Sequence, residues 1–193
     1  MTVRLATNRE RRVVTTALAR AFADDPALAW IFPDPTLRAR RLPGLFAMLF
    51  DEDEAHGVRL MTLGGEAVTL WRAPGHAETP PSTMLRSVLP MLLTFGLALG
   101  RGLAVSKAIE AHFPSHPFWY LHIAGCDPAY QGQGLGKAAV QAGIDRMGGS
   151  GLPLYLETAT ERNIGFYQAL GFRVTNEWRV GSDGPVFWSM LNG

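Results

Sequence analysis

Cys126-Asp127-Pro128-Ala129-Tyr130-Gln131-Gly132-Gln133-Gly134-Leu135-Gly136-Lys137 is the stretch whose reading decides the fold of this 193-residue chain. It follows an apolar run, Phe118 to Cys126, whose composition predicts a strand. It leads into Gly134 to Met147, whose apolar spacing predicts a helix. Glycines between a strand and a helix let the backbone approach a ligand closely. The helix start adds unpaired N–H groups and positive dipole character. A diphosphate is the natural guest of such a turn.

Three phosphate-binding patterns compete for these residues. A P-loop would need a glycine at position 131 and a hydroxyl at 138, where the chain has Gln131 and Ala138. The dinucleotide fingerprint fits better: Gly134-Leu135-Gly136-Lys137-Ala138-Ala139 matches G-x-G-x-x-A, and Glu157 ends a strand about twenty residues on. Two features count against it. Asp127 to Gln133 separates the strand from the first glycine, and only 36 residues follow Glu157.

The third pattern is a family resemblance. The segment from Cys126 to Gly136 resembles the acetyl-CoA signature of the GNAT superfamily, Gln/Arg-x-x-Gly-x-Gly/Ala after a strand ending in x-Pro. Downstream, Asn163-Ile164-Gly165-Phe166-Tyr167-Gln168-Ala169-Leu170-Gly171-Phe172 resembles the second landmark of that family. Val3 to Thr7, Ala21 to Asp24, Leu156 to Thr158 and Arg162-Asn163 are similar to its puromycin N-acetyltransferase branch. The likeness is dense after Trp119, patchy over 1–25 and thin over 26–118.

The resemblance implies an acetyl-CoA-dependent N-acetyltransferase with a mixed, mostly antiparallel central sheet flanked by helices. It implies that the strand backbone at Ala124, Gly125 and Cys126 binds the pantetheine arm. The amides of Gln131, Gly132, Gln133, Gly134, Leu135, Gly136 and Lys137 would hold the pyrophosphate. Lys137 could add charge there or be an ordinary first-turn lysine. Tyr167 matches the tyrosine that protonates the departing thiolate, and Asn163 lies one turn earlier as a cofactor contact or a helix cap. Glu157 is the candidate base, acting through water, with a structural carboxylate as the other reading. His122 shares strand alternation with Tyr120, Ala124 and Cys126, so all four should face one side; a lone strand histidine reads as structural. Cys126 shows no His partner in sequence, which favours direct transfer over an acetyl-enzyme.

The remaining chain predicts an α/β layered architecture over 1–193 as one domain. A strand is expected at Val3 to Ala6, a helix capped by Asn8 to about Ala23, and a stop at Asp24-Asp25-Pro26, where the two aspartates read as turn residues or as an attraction for a cationic amine. A helix is expected over Thr36 to Phe50, strands over Val58 to Leu63 and Glu66 to Trp71, and a loop over 72–81. Helices should follow over Ser82 to His112, broken near Gly100 and Gly102. Strands close the pattern at Pro153 to Glu157, Phe172 to Val180 and Val186 to Leu191, with a short helix over Asn163 to Leu170. Trp30, Phe32, Trp71 and Ser82 to Val105 are candidates for an apolar acceptor pocket.

Hydrophobic residues are 47% and charged residues 18% of the chain, as in a folded protein. A net charge of +1 without a basic run gives a nucleic-acid partner no electrostatic support. The single cysteine excludes an internal disulfide and a Cys-based zinc site, and no metal is expected. MTVRLATNRERR has no apolar core of the signal-peptide kind. Ser87 to Gly100 is uncharged but short for a membrane span. The expected setting is cytoplasmic, with a small-molecule amine as partner, no membrane, and a homodimer left open. A protein or peptide amine as acceptor, or a CoA-binding module without turnover, are the competing readings.

Overall fold

The computed structural model describes residues 1–78, 91–92 and 94–193. Seven strands form one sheet: β1 Val3–Leu5, β2 Gly57–Thr62, β3 Ala67–Arg72, β4 Trp119–Cys126, β5 Leu154–Thr158, β6 Arg173–Arg179 and β7 Val186–Asn192. Their order is β1-β2-β3-β4-β5-β7-β6, and only β4 and β5 run parallel. The mixed, mostly antiparallel sheet expected from the resemblance is the one observed.

Helices α1 Arg11–Ala21, α2 Pro26–Ile31, α3 Pro35–His56 and α4 Leu99–Glu110 gather on one face, and α5 Leu135–Gly148 and α6 Asn163–Gln168 on the other. Alternation along β3 feeds both layers: Val68 and Leu70 join the α1–α3 core, while Trp71 joins the α5 core. All six residues of β3 are buried, as a central strand covered on both faces should be. On the α5 side a Cβ at Gly143 would collide with the Trp71 indole, so glycine sets how closely that helix lies on the sheet.

Several local expectations are corrected. Thr7, not Asn8, caps the first helical segment; its hydroxyl accepts from Arg9 N and Glu10 closes a capping box. After the expected stop at Asp24-Asp25-Pro26 the chain forms the further helix α2, because Asp25 caps it and Pro26 takes its first position. Helix α3 passes Phe50 and reaches His56. Its acidic C-terminal turns are held by tertiary ion pairs: Arg11 forks onto Asp51 at 2.7 and 2.7 Å, and Arg72 Nε reaches Asp53 at 2.6 Å. Helix α4 runs unbroken through Gly100 and Gly102. At Gly102 a Cβ would lie 2.6 Å from the Phe95 ring, so this glycine serves packing. The part of the Ser82 to His112 expectation at 82–90 and 93 lies outside the described residues.

One departure shapes the site. Leu70 pairs with Ile123 and Trp71 with Leu121, so His122 is the extra residue of a β-bulge. The bulge resets the side-chain parity of β4. Leu121 and Ala124 pack on the α5 side, while Ile123 packs on the α1 side. The expected common face for Tyr120, His122, Ala124 and Cys126 therefore does not exist.

Candidate active site

Strands β4 and β5 are paired only at Trp119–Leu154 and Tyr120–Tyr155. Beyond those pairs they part, although β4 continues to Cys126. This gap is where two cavities meet.

The first cavity, of about 680 Å3, lies between the end of β4 and the start of α5. Ala124, Gly125, Cys126, Gln131, Gly132, Gly134, Leu135, Gly136, Lys137 and Asn163 all line it. Gln133 is exposed and does not. Gly132 and Gly134 both have φ of 78°, the left-handed region that glycine enters without strain. Gly134 stands just before α5, whose first-turn N–H groups have no partner within the helix. Gln131 Nε2 donates to Cys126 O at 3.2 Å, so its side chain braces the turn. Asp127 caps Pro128–Tyr130 through Ala129 N and takes Arg20 Nη1 at 3.0 Å, which ties α1 to the loop. Gly125 faces α1, where a Cβ would lie 2.8 Å from Leu18.

The second cavity, of about 720 Å3, lies between the sheet and α2, α3 and α4. Its lining is mainly apolar, with Phe46, Leu49, Phe95, Leu103, Ile109 and Phe113 among the contributors. The expected pocket aromatics are elsewhere. Phe32 is a core residue stacked on Phe95 at 5.6 Å, Trp71 lies under α5, and Trp30 sits beneath the Arg101 guanidinium. None of the three lines the cavity. Of the Ser82 to Val105 segment, Met91, Phe95, Leu99, Gly102, Leu103 and Val105 do.

Five residues line both cavities: Phe22, Asp25, Ala124, Asn163 and Tyr167. Tyr167 is buried, and burial followed by the nearby Asp25 charge raises its hydroxyl pKa, keeping the phenol protonated. Asn163 opens α6, and its Nδ2 donates to Thr158 Oγ1 at 3.3 Å.

Glu157 stands on the parted section of β5 and faces the second cavity. Burial pushes its pKa up to about 8, although the Tyr120 and Tyr155 hydroxyls oppose the shift. Its Oε1 is closed to solvent without a protein hydrogen-bond partner. The Cys126 thiol is pushed up by burial and by Asp127, which weakens it as a nucleophile.

Sequence reasoning missed the network behind His122. Its Nδ1 lies 2.8 Å from Oδ2 of fully buried Asp53, whose Oδ1 takes Arg72 Nε. Burial alone would raise Asp53, but His122 and Arg72 outweigh it and hold the carboxyl low. An ionised carboxylate only accepts, so Nδ1 carries the proton. Burial, then Arg72, lowers the His122 pKa, leaving a neutral ring on the cavity wall. An arginine in the fully buried β3 was the available signal. Its acidic partners lie 19 and 20 residues away in α3.

With this geometry in place, known proteins sharpen the reading. Residues 101–172 match the model of the Acetyltransferase (GNAT) family. A crystal structure from Corynebacterium glutamicum, described as histone acetyltransferase HPA2 and related acetyltransferase, covers 99% of this chain and 94% of its own at 27% identity, with a TM-score of 0.74. By the match over residues 101–172 and by its fold, the chain is similar to GNAT acetyltransferases. Acetyl-CoA is the co-substrate of that family.

Two curated relatives are both named mycothiol acetyltransferase. The Mycobacteroides abscessus protein is 27% identical over 81% of this chain and 51% of its own length. The Nocardioides protein is 42% identical over 27% of this chain and 19% of its own. The chain thus spans about half the length of the first of these relatives and about a fifth of the second. Among the described residues no helix is long and apolar enough to cross a membrane.

Proposed function

We propose that this chain moves the acetyl group of acetyl-CoA directly onto the primary amine of a small, largely apolar molecule within a ternary complex. The observation that carries this reading is the meeting of two cavities at Tyr167 and Asn163. The glycine-turn cavity suits the pantetheine and diphosphate of the donor. The apolar cavity suits the body of the acceptor, and puromycin-like aminonucleosides are one class that fits an apolar amine pocket.

In this reading the amine nitrogen attacks the thioester carbonyl, and the C–S bond breaks as the amide forms. Glu157 takes the proton leaving the nitrogen, directly or through one water. A carboxyl with a pKa of about 8 is a better-matched base near neutral pH than an ordinary glutamate. Tyr167 gives its proton to the departing sulfur, a role for which its raised pKa keeps it protonated. The amides of Gly134 to Lys137 hold the diphosphate, with Lys137 adjacent. The raised pKa of Cys126 supports direct transfer over an acetyl-cysteine route.

Thiol release from acetyl-CoA across a panel of amines tests the proposal. The panel holds arylalkylamines, aminonucleosides including puromycin, hydrophilic amino sugars and peptide amines. Turnover is expected with the apolar small amines. CoA binding without thiol release from any member would overturn the reading in favour of a CoA-binding module, and release with peptides alone would move the acceptor to a protein.

A further inference from the structure

The α1–α2 junction places a carboxylate where the two cavities meet. Of the five residues shared by both cavities, Asp25 is the one that carries a charge. Its neighbour Asp24 lines only the donor cavity: the side chain is 95% exposed, lies 4.0 Å from Arg38 Nη2, and does not reach the apolar cavity. Asp25 is fixed from below. Its Oδ1 accepts from Ala27 N and Leu28 N, both at 3.0 Å, and Pro26 follows as the first residue of α2. Both backbone bonds use the same oxygen, the Thr160 side chain is a further hydrogen-bond partner of the carboxyl, and the residue lines both cavities. Phe22 and Leu28 beside it make the surroundings apolar, where a charge acts more strongly than in water.

We propose that Asp25 receives the ammonium form of the acceptor, and so selects alkylamines, which are cationic at neutral pH, over arylamines, which are neutral. The inference rests on the acetyltransfer reading above and adds to it the residue that recognises the amine before it loses its proton. Two arginines that line the cavities are engaged elsewhere: Arg72 is held by Asp53 and Glu52, and Arg20 by Asp127. Glu157 is less suited to this first encounter, since a carboxyl with a pKa of about 8 is mostly neutral at pH 7. Burial raises Asp25 as well, and the Leu28 and Ala27 amides and Thr160 offset only part of that shift; a docked ammonium adds the opposite charge that favours the ionised form. The cation would dock at Asp25, release one proton to solvent, and attack as the neutral amine beside Tyr167, with ionised Glu157 taking the second proton from nitrogen as the amide forms.

The test compares two isomeric probes, 2-phenylethylamine and 4-ethylaniline, at saturating acetyl-CoA. Asp25→Asn keeps an oxygen for the α2 cap and loses the charge. Asp25→Ser is a second uncharged cap, should the first variant fold poorly. KM for 2-phenylethylamine is expected to rise about tenfold or more in each variant, the scale of one lost charged contact. KM for 4-ethylaniline should stay within about twofold. Calorimetric binding of 2-phenylethylamine to the CoA-loaded protein gives a readout that needs no turnover, and the same tenfold weakening is expected there. An equal rise for both probes would assign Asp25 to pocket shape and overturn the proposal. Unchanged KM and binding with a lower kcat would instead assign it to proton transfer, and also overturn it. Absence of thiol release by the unaltered protein across the whole amine panel would count against acetyltransfer itself, while the binding comparison would still decide the role of Asp25.

Discussion

The two halves of the site are built by different means. The donor side, from Cys126 to Lys137, recognises its ligand with backbone: two glycines at φ 78°, first-turn amides of α5, and the edge of β4 freed where β5 parts from it. The acceptor side is lined by side chains that α2, α3 and α4 bring from distant parts of the chain. Backbone recognition restricts residue type locally, because only glycine accepts those dihedral angles. A side-chain pocket restricts volume and polarity, which many residues satisfy. The donor half therefore writes a motif into twelve consecutive residues, and the acceptor half writes none.

Glu157, on the boundary between the halves, should give the largest effect. Glu157→Gln is expected to lower turnover by about 10²–10⁴-fold, as loss of a general base does. In the unaltered protein kcat/KM should rise with pH through about 8, as Glu157 ionises, and this limb should be absent in the variant. Stability gives an independent check. The folded pKa of about 8 lies above the ordinary 4.5, so the unfolded chain holds fewer protons between those values. Folding stability then falls as pH rises across that window, and Gln removes this part of the slope. A variant with normal turnover and an unchanged pH profile would leave Glu157 a structural carboxylate.

Tyr167→Phe separates chemistry from binding on the donor side. Turnover should fall by roughly 10²-fold while acetyl-CoA affinity changes little, since only the hydroxyl is lost. Melting temperature, affinity and turnover from one preparation decide it. A stable variant with near-normal turnover would pass the proton to another route.

Gly134→Val breaks the backbone device itself. A β-branched residue at φ 78° is strained, and its side chain would stand where the diphosphate approaches. CoA affinity is expected to fall about tenfold or more. The turn is exposed, so the fold should survive. Unchanged affinity in folded protein would remove the turn from the donor site.

The smallest effect belongs to the acceptor side. Leu103 is 41% exposed and lines the apolar cavity. Leu103→Ala should raise KM for an apolar amine by a few-fold, roughly the loss of one partly exposed side-chain contact, with acetyl-CoA affinity untouched. Equal changes in both affinities would show that the halves are coupled rather than separately built.

The sequence by itself determined the strand–turn–helix of β4 and α5, the α6 segment carrying Asn163 and Tyr167, and most strand positions. Each rests on local physics: alternation, helical spacing, glycine conformations and caps within a few residues. It did not determine the β4 bulge at His122, because alternation read along one strand cannot show where its partner slips by a residue. It did not extend α3 to His56, since Arg11, Arg59 and Arg72, which hold those acidic turns, belong to other elements. It named Trp71 for the pocket, where the tertiary structure buries that ring under Gly143 on the opposite face of the sheet. Asp25 and Glu157 were legible as residue types, one in a turn and one at a strand end. Only the folding of α1 against the parted strands decided that Asp25 meets Tyr167 between two cavities, because that placement depends on contacts more than a hundred residues apart in the chain.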